Sequence, residues 1–157
     1  IGKLKKIPGS YASLVTIIFL FFLFHILNFS PNVVLIGIII IFLISLYSVN
    51  IFIKDLDNKD PKEVVIDEFI GQSIPICLYE IAHEGSKETS QVLTSYFIMF
   101  ILFRIFDIVK PYPVSYYDKS FKNSFGVIMD DVAAGLYVVA VLVLYMVFTS
   151  WKKFLKN

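Results

Sequence analysis

The chain has 157 residues, 57% hydrophobic and 17% charged, with 16 Phe and a mean hydropathy of +0.77. Soluble domains hold about 45–50% apolar and about 25% charged residues, and a chain this short cannot hide such an excess inside itself, so a soluble fold is excluded and the surplus faces lipid. A net charge of +1 without a long basic run excludes nucleic acid as a partner, and a single cysteine, Cys77, excludes a disulfide framework and argues against a Cys-based zinc centre.

Between Lys6 and Lys54 there is no Asp, Glu, Lys or Arg. That run is long enough for two spans of about 20 residues each, and Ser30-Pro31-Asn32 breaks it with turn chemistry. We read Ser13–Phe29 and Val33–Ile53 as a helical hairpin in the membrane. The alternative for the first run is a signal peptide, since Lys3, Lys5 and Lys6 precede it. No small-residue cleavage site follows, and Pro31 leads into more apolar sequence. Lys54–Glu63 is a polar loop in which Asp60-Pro61 is placed to cap the next helix. Val64–Ala82 is apolar apart from Asp67, Glu68, Gln72 and Glu80, with Pro75 inside it, and reads as a kinked span or a re-entrant helix. After a polar linker, His83–Gln91, comes Val92–Phe106, which Pro111-Tyr112-Pro113 brings to a stop. Residues 114–129 read as an aromatic and basic loop, and Val132–Trp151 as a final uncharged span. The expectation is an all-α, polytopic membrane bundle of about four to five membrane-embedded helices, forming one domain over residues 1–157.

Three sets of charges abut or enter these apolar segments: Asp67-Glu68, Arg104 with Asp107, and Asp130-Asp131. A charge at bilayer depth costs at least a few kcal/mol and is a functional candidate for that reason. Each set also has a plain structural reading. Asp130-Asp131 would cap the last helix at its positive end, and Arg104–Asp107, at i and i+3, would form an ion pair. Asp67-Glu68 resists this, because adjacent acids point to different helix faces. Spacing adds to the case. Asp67 and Gly71 are i and i+4, as are Asp131 and Gly135, and a small residue one turn below a carboxylate lets a neighbouring helix approach. Carboxylates drawn together from three helices repel unless cations sit between them, and such oxygens suit Mg²⁺ or Ca²⁺. Arg104 and Lys110 beside them would hold an anion, with Arg suited to bidentate phosphate contact. His25 reads as a core or interfacial histidine, Glu80 as lying near the far interface, and Tyr112, Tyr116, Tyr117 and Trp151 as an interfacial belt.

Three segments resemble those of one known family in its order. Asp60 to Gln72 is similar to the "V-x-D-E-x-x-G" stretch of the phosphatidylglycerophosphatase A family, Phe103 to Pro113 to its "F-R-x-x-D-x-x-K-P-x-P" stretch, and Gly126 to Gly135 to its "G-x-x-x-D-D-x-x-A-G" stretch. Pro8 to Ser13 looks like the family's "P-G-T-x-G-S", with Ala12 where Gly is usual, and Asn123-Ser124 stands where members often carry Gly-Gly. The resemblance implies a Mg²⁺-dependent, multi-pass enzyme of the bacterial cytoplasmic membrane. It would hydrolyse phosphatidylglycerophosphate in the bilayer to phosphatidylglycerol and inorganic phosphate, the last step of phosphatidylglycerol synthesis.

Asp67, Glu68, Asp107, Asp130 and Asp131 would then be the catalytic carboxylates holding one or two Mg²⁺, with Arg104 and Lys110 clamping the substrate phosphate. If Val64–Ala82 crosses the membrane, all of these residues reach one face, which the Lys-rich N-terminus places in the cytoplasm; Lys152, Lys153 and Lys156 then lie outside. If it is re-entrant, the C-terminus returns inside and the clusters split between faces unless they meet in the interior; convergence is the reading adopted, with the number of full spans open. The rival readings are a cation transporter or channel subunit, and a phosphatase for another lipid phosphate.

Overall fold

The computed structural model describes residues 2, 7–56, 61–83 and 88–154, and these contain six α-helices and no strand. Helix α1, Pro8–Phe21, opens on a proline at its first position and runs into a π-helical turn, Phe22–Ile26. Helix α2, Pro31–Ile53, also opens on a proline. Helix α3 spans Ile66–Ala82, α4 Thr89–Val109, α5 Val114–Ser120 and α6 Ser124–Phe154. The Ser30-Pro31 break and the apolar spans fall near where sequence puts them, with α1 starting at Pro8 rather than Ser13 and α4 at Thr89 rather than Val92. Two expectations need correcting. Residues 114–129 are not a loop: they hold α5 and the first turns of α6. Helix α6 therefore starts at Ser124, where Asn123 Oδ1 accepts a hydrogen bond from the Gly126 N–H at 3.1 Å, as an N-cap does. Pro61 does not open α3 either, since the helix begins at Ile66, five residues later; Asp60 lies outside the described residues.

Helix α1 together with its π-turn, and helices α2, α4 and α6, are each long and apolar enough to cross a membrane. Their outward faces carry Ile18, Leu43, Phe97 and Leu144, all largely exposed. The protein is a membrane protein whose hydrophobic surface meets lipid. Helix α3 is shorter and more polar, and it is the most enclosed. It packs against α1, α2, α4 and α6 and buries Asp67, Gly71, Gln72, Ser73 and Cys77 along with Ile70, Pro75 and Ile76. A helix largely shielded from lipid can carry polar groups that a lipid-facing one cannot.

Two sets of contacts fix how α3 runs. At one end, Gly9 of α1 lies against the side chains of Glu68 and Arg104. At the other, Tyr96 of α4 donates a hydrogen bond to Glu80 Oε1 at 2.8 Å, and His25 Nε2 lies 3.4 Å from the same oxygen. Helix α3 therefore extends between the two ends of the bundle, parallel to α1 and antiparallel to α4. The starts of α1, α3 and α6 and the end of α4 share one end, as the crossing reading of Val64–Ala82 requires.

His25 is thus not a lone core histidine. It sits in the π-turn, a feature often found where a helix serves a particular contact, and helps α1, α3 and α4 share one carboxylate. Tyr79 adds a hydrogen bond to Ser95 at 2.8 Å. Replacing Tyr96 with Phe keeps the ring and removes the donor to Glu80. Glu80 is half-buried and keeps His25 beside the same oxygen, so the loss is near the low end, about 1 kcal/mol, and Tyr96→Phe is expected to melt in detergent about 2–4 °C lower.

Candidate active site

The site is built where α3 crosses α6. A Cβ at Gly71 would stand 2.5 Å from the Asp131 carbonyl oxygen, and one at Gly135 would overlap the Gly71 carbonyl. Pro75, four residues after Gly71, has no N–H to give that carbonyl. The oxygen that the proline leaves without its helical donor faces Gly135, an arrangement suited to a weak Cα–H···O contact. The two glycines let the backbones meet, and each carries a carboxylate one turn earlier.

Asp67, Glu68 and Asp131 converge there, each offering an oxygen within 4.8 Å of the others. Asp67 and Asp131 are buried and Glu68 half-buried. Asp130 and Asp131 are the seventh and eighth residues of α6, so they are not its cap. Asp130 turns from the cluster: its Oδ1 accepts the Asp131 N–H at 2.9 Å, and its Oδ2 lies 2.8 Å from Lys110 Nζ. Asp107 pairs with Arg104 Nη1 at 2.7 Å. Three of the five predicted carboxylates thus form the centre, and two border it, each against a cation.

Lys110 ends α4 in the left-handed conformation more usual for glycine (φ 45°). It donates to Asp118 of α5 at 2.5 Å as well as to Asp130. Burial alone would lower the pKa of its ammonium, but the hydrogen bonds to Asp118 and Asp130 outweigh burial and hold it above its ordinary value. Lys110 is therefore a fixed charge that ties α4, α5 and α6 together. Tyr137 of α6 donates to the Tyr112 carbonyl and stacks on Phe106 at 5.0 Å, which holds the same corner.

The centre has the chemistry of a hard-cation site. Two unit charges about 4–5 Å apart at an effective dielectric near 20 repel by about 3–4 kcal/mol, and three such carboxylates meet here with no cationic side chain ion-paired to Asp67 or Asp131 among the described residues. Asp67 Oδ1 and Glu68 Oε2 are buried without a hydrogen-bond partner. Oxygens bound to one Mg²⁺ lie at most about 4.2 Å apart, and those bound to Ca²⁺ about 5 Å apart, close to the spacing found. The residues present fit a divalent cation.

Three participants escaped the reading of the sequence. Asp118 looked like a loop residue, and only the fold brings it to Lys110. Gly9 allows α1 to press on Glu68 and Arg104, where a Cβ would overlap the Glu68 carboxylate. Gln72 is fully buried one turn after Glu68, and neither amide atom has a hydrogen-bond partner. An uncharged amide four residues after Glu68 in a membrane-embedded segment was the available signal.

The sequence model of a family described as phosphatidylglycerophosphatase A matches residues 1–146. The chain belongs to the phosphatidylglycerophosphatase A family. It is 33% identical to the phosphatidylglycerophosphatase A of Haemophilus influenzae over 141 residues, covering 90% of this chain and 80% of that protein. It is 29% identical to the Escherichia coli enzyme of that name over 155 residues, covering 96% and 79%. A putative phosphatidylinositol-3-phosphatase of Bacteroides thetaiotaomicron is 41% identical over 80 residues, 51% of this chain and 45% of that protein. No solved structure matches the chain. Membership of the phosphatidylglycerophosphatase A family makes this protein a phosphatase, a phosphoric monoester hydrolase, and the transporter reading gives way.

Proposed function

We propose that the protein hydrolyses phosphatidylglycerophosphate to phosphatidylglycerol and inorganic phosphate, using Mg²⁺, at the cytoplasmic face of a bacterial membrane. The observation that carries this reading is the buried Asp67–Glu68–Asp131 cluster with Arg104 at its border, at one end of a membrane bundle whose relatives bear that enzyme's name. Asp67, Glu68 and Asp131 would hold Mg²⁺, which supplies charge neutralisation on the phosphoryl oxygens and lowers the pKa of water. Arg104 binds the phosphate. Asp107 fixes one edge of its guanidinium, and its buried Nε has no hydrogen-bond acceptor, which leaves a donor for a phosphate oxygen. Lys110, held by Asp118 and Asp130, adds positive potential rather than a mobile clamp. A carboxylate of the centre takes the proton of the attacking water. The water oxygen bonds to phosphorus as the phosphorus–oxygen bond to the glycerol breaks, and the proton that the carboxylate took passes to the departing oxygen, leaving inorganic phosphate and the free hydroxyl.

Lysine placement supports the sidedness. Among the described residues, Lys54, Lys62, Lys110, Lys119 and Lys122 belong to the segments between α2 and α3 and between α4 and α6, at the site end, whereas Lys152 and Lys153 lie near the other end of α6. By the positive-inside rule this excess supports a cytoplasmic site end.

The test is phosphate release in detergent micelles from phosphatidylglycerophosphate and, beside it, phosphatidylinositol 3-phosphate. Release from the former that stops with a chelator and returns with Mg²⁺ is the expected result. Release only from the inositol lipid would move the assignment to the headgroup named for the Bacteroides relative. No dependence on divalent ions would sink the metal role.

A further inference from the structure

We propose that an apolar groove between α2, α3 and α6 seats one acyl chain of the phospholipid substrate. This deepens the reading above and rests on it. The groove is lined by Ile38, Ile39 and Phe42 of α2, Ile70 and Ile74 of α3, and Val132 of α6, with a volume of about 150 Å³. A dry apolar cavity of about 150 Å³ takes a benzene-sized apolar group.

Its position relative to the acids selects the occupant. Ile70 and Ile74 follow Asp67 by three and seven residues, about 4.5 and 10 Å along the helix at 1.5 Å per residue. Val132 directly follows Asp131. The groove thus continues from the acidic centre, starting one turn below it and heading into the apolar part of the bundle. It carries no polar side chain and opens toward lipid beside Ile39, which is 51% exposed. A lipid whose phosphate lies at Asp67 and Asp131 has its tails on this side and at this depth.

A second apolar groove argues for the choice by contrast. It lies between α3 and α6 and is lined by Pro75, Tyr79, His83 and Met146 among others, with a volume of about 130 Å³. Its α3 residues follow Asp67 by 8 to 16 positions, about 12–24 Å away, beside the far end of the bundle. A tail anchored at the acids meets the α2–α3–α6 groove first.

Lipid tails already surround an acyl chain in the membrane, so seating it removes nothing from water. The gain comes from closer packing, and the expected effect is correspondingly about three- to tenfold. The experiment compares phosphatidylglycerophosphate carrying two hexadecanoyl chains with glycerophosphoglycerophosphate, the same headgroup without chains, using wild type, Ile74→Phe and Phe42→Ala in mixed micelles. Ile74→Phe fills the groove and Phe42→Ala hollows it, so one variant informs if the other does not fold. The expected result is a wild-type KM lower for the diacyl substrate, with the ratio of the two KM values falling about three- to tenfold in either variant. A diazirine placed mid-chain in the diacyl substrate should label peptides of α2 or α3, and less so in Ile74→Phe. KM ratios equal to wild type in a folded variant, or labelling confined to the Pro75–Met146 groove, would overturn the acyl subsite and leave the phosphatase reading standing. No phosphate release from either substrate by wild type would overturn the functional reading, and the subsite with it.

Discussion

Asp131→Asn is expected to reduce Mg²⁺-dependent phosphate release by at least about 100-fold, the result of losing roughly 3 kcal/mol of transition-state stabilisation. The same variant should be no less stable than wild type without divalent ions, and more stable if repulsion dominates. The reason lies in the buried cluster. Asp131 shares a volume under 5 Å across with Asp67 and Glu68, and each ionised pair at that spacing costs about 3–4 kcal/mol at an effective dielectric near 20. Asn keeps the shape and removes one charge. A carboxylate serving only to hold α3 and α6 together would give the opposite result, with a lower melting temperature and activity falling only as the fold is lost. Adding Mg²⁺ sharpens the comparison, because an ion that binds only the folded state raises the melting temperature. Wild type should gain several degrees and Asp131→Asn much less. Full activity in a folded Asp131→Asn protein would remove Asp131 from the chemistry.

The acids and glycines that make this site were legible because helical periodicity links them. Asp67 with Gly71, and Asp131 with Gly135, are one-turn pairs whose meaning is local: a carboxylate above a place where another helix can touch. The crossing of α3 and α6 uses both pairs as the spacing suggests. The partner of each charge was less legible, because partners come from other helices. Nothing near Glu80 in sequence announces Tyr96 or His25, and nothing near Lys110 singles out Asp118. The five carboxylates read as one group from their types alone. The fold separates them, since Asp107 and Asp130 have a cation within 3 Å, whereas Asp67 and Asp131 lie in no such ion pair among the described residues. Residues 114–129 were misread for another reason. Their aromatic and polar mixture lacks a clean apolar stripe, so α5 and the start of α6 depend on packing and on the Asn123 cap.

Gly71→Ala should cost the enzyme about 100-fold in kcat and several degrees of thermal stability, although it adds a single methyl group to a residue that binds nothing. The added carbon would stand 2.5 Å from the Asp131 carbonyl oxygen and 2.9 Å from Phe103 Cε2, where ordinary contact begins at 3.4 Å. Phe103 can turn; the backbone oxygen cannot. Helices α3 and α6 must therefore part by about 0.9 Å, the difference between 3.4 and 2.5 Å. That motion carries Asp67 and Glu68 away from Asp131, and a displacement of about 1 Å at reacting groups is worth about 100-fold in rate. Gly37→Ala is the control. Gly37 lies in α2, a Cβ there would meet nothing within 4 Å, and alanine is at least as good a helix former, so stability and activity should stay near wild type. The Mg²⁺ dependence separates displacement from unfolding. If Gly71→Ala holds the acids too far apart, it should need more Mg²⁺ for half-maximal activity while remaining helical by circular dichroism. A folded Gly71→Ala enzyme with wild-type kcat and wild-type Mg²⁺ response would mean that close approach of α3 and α6 does not set the geometry of the acidic centre.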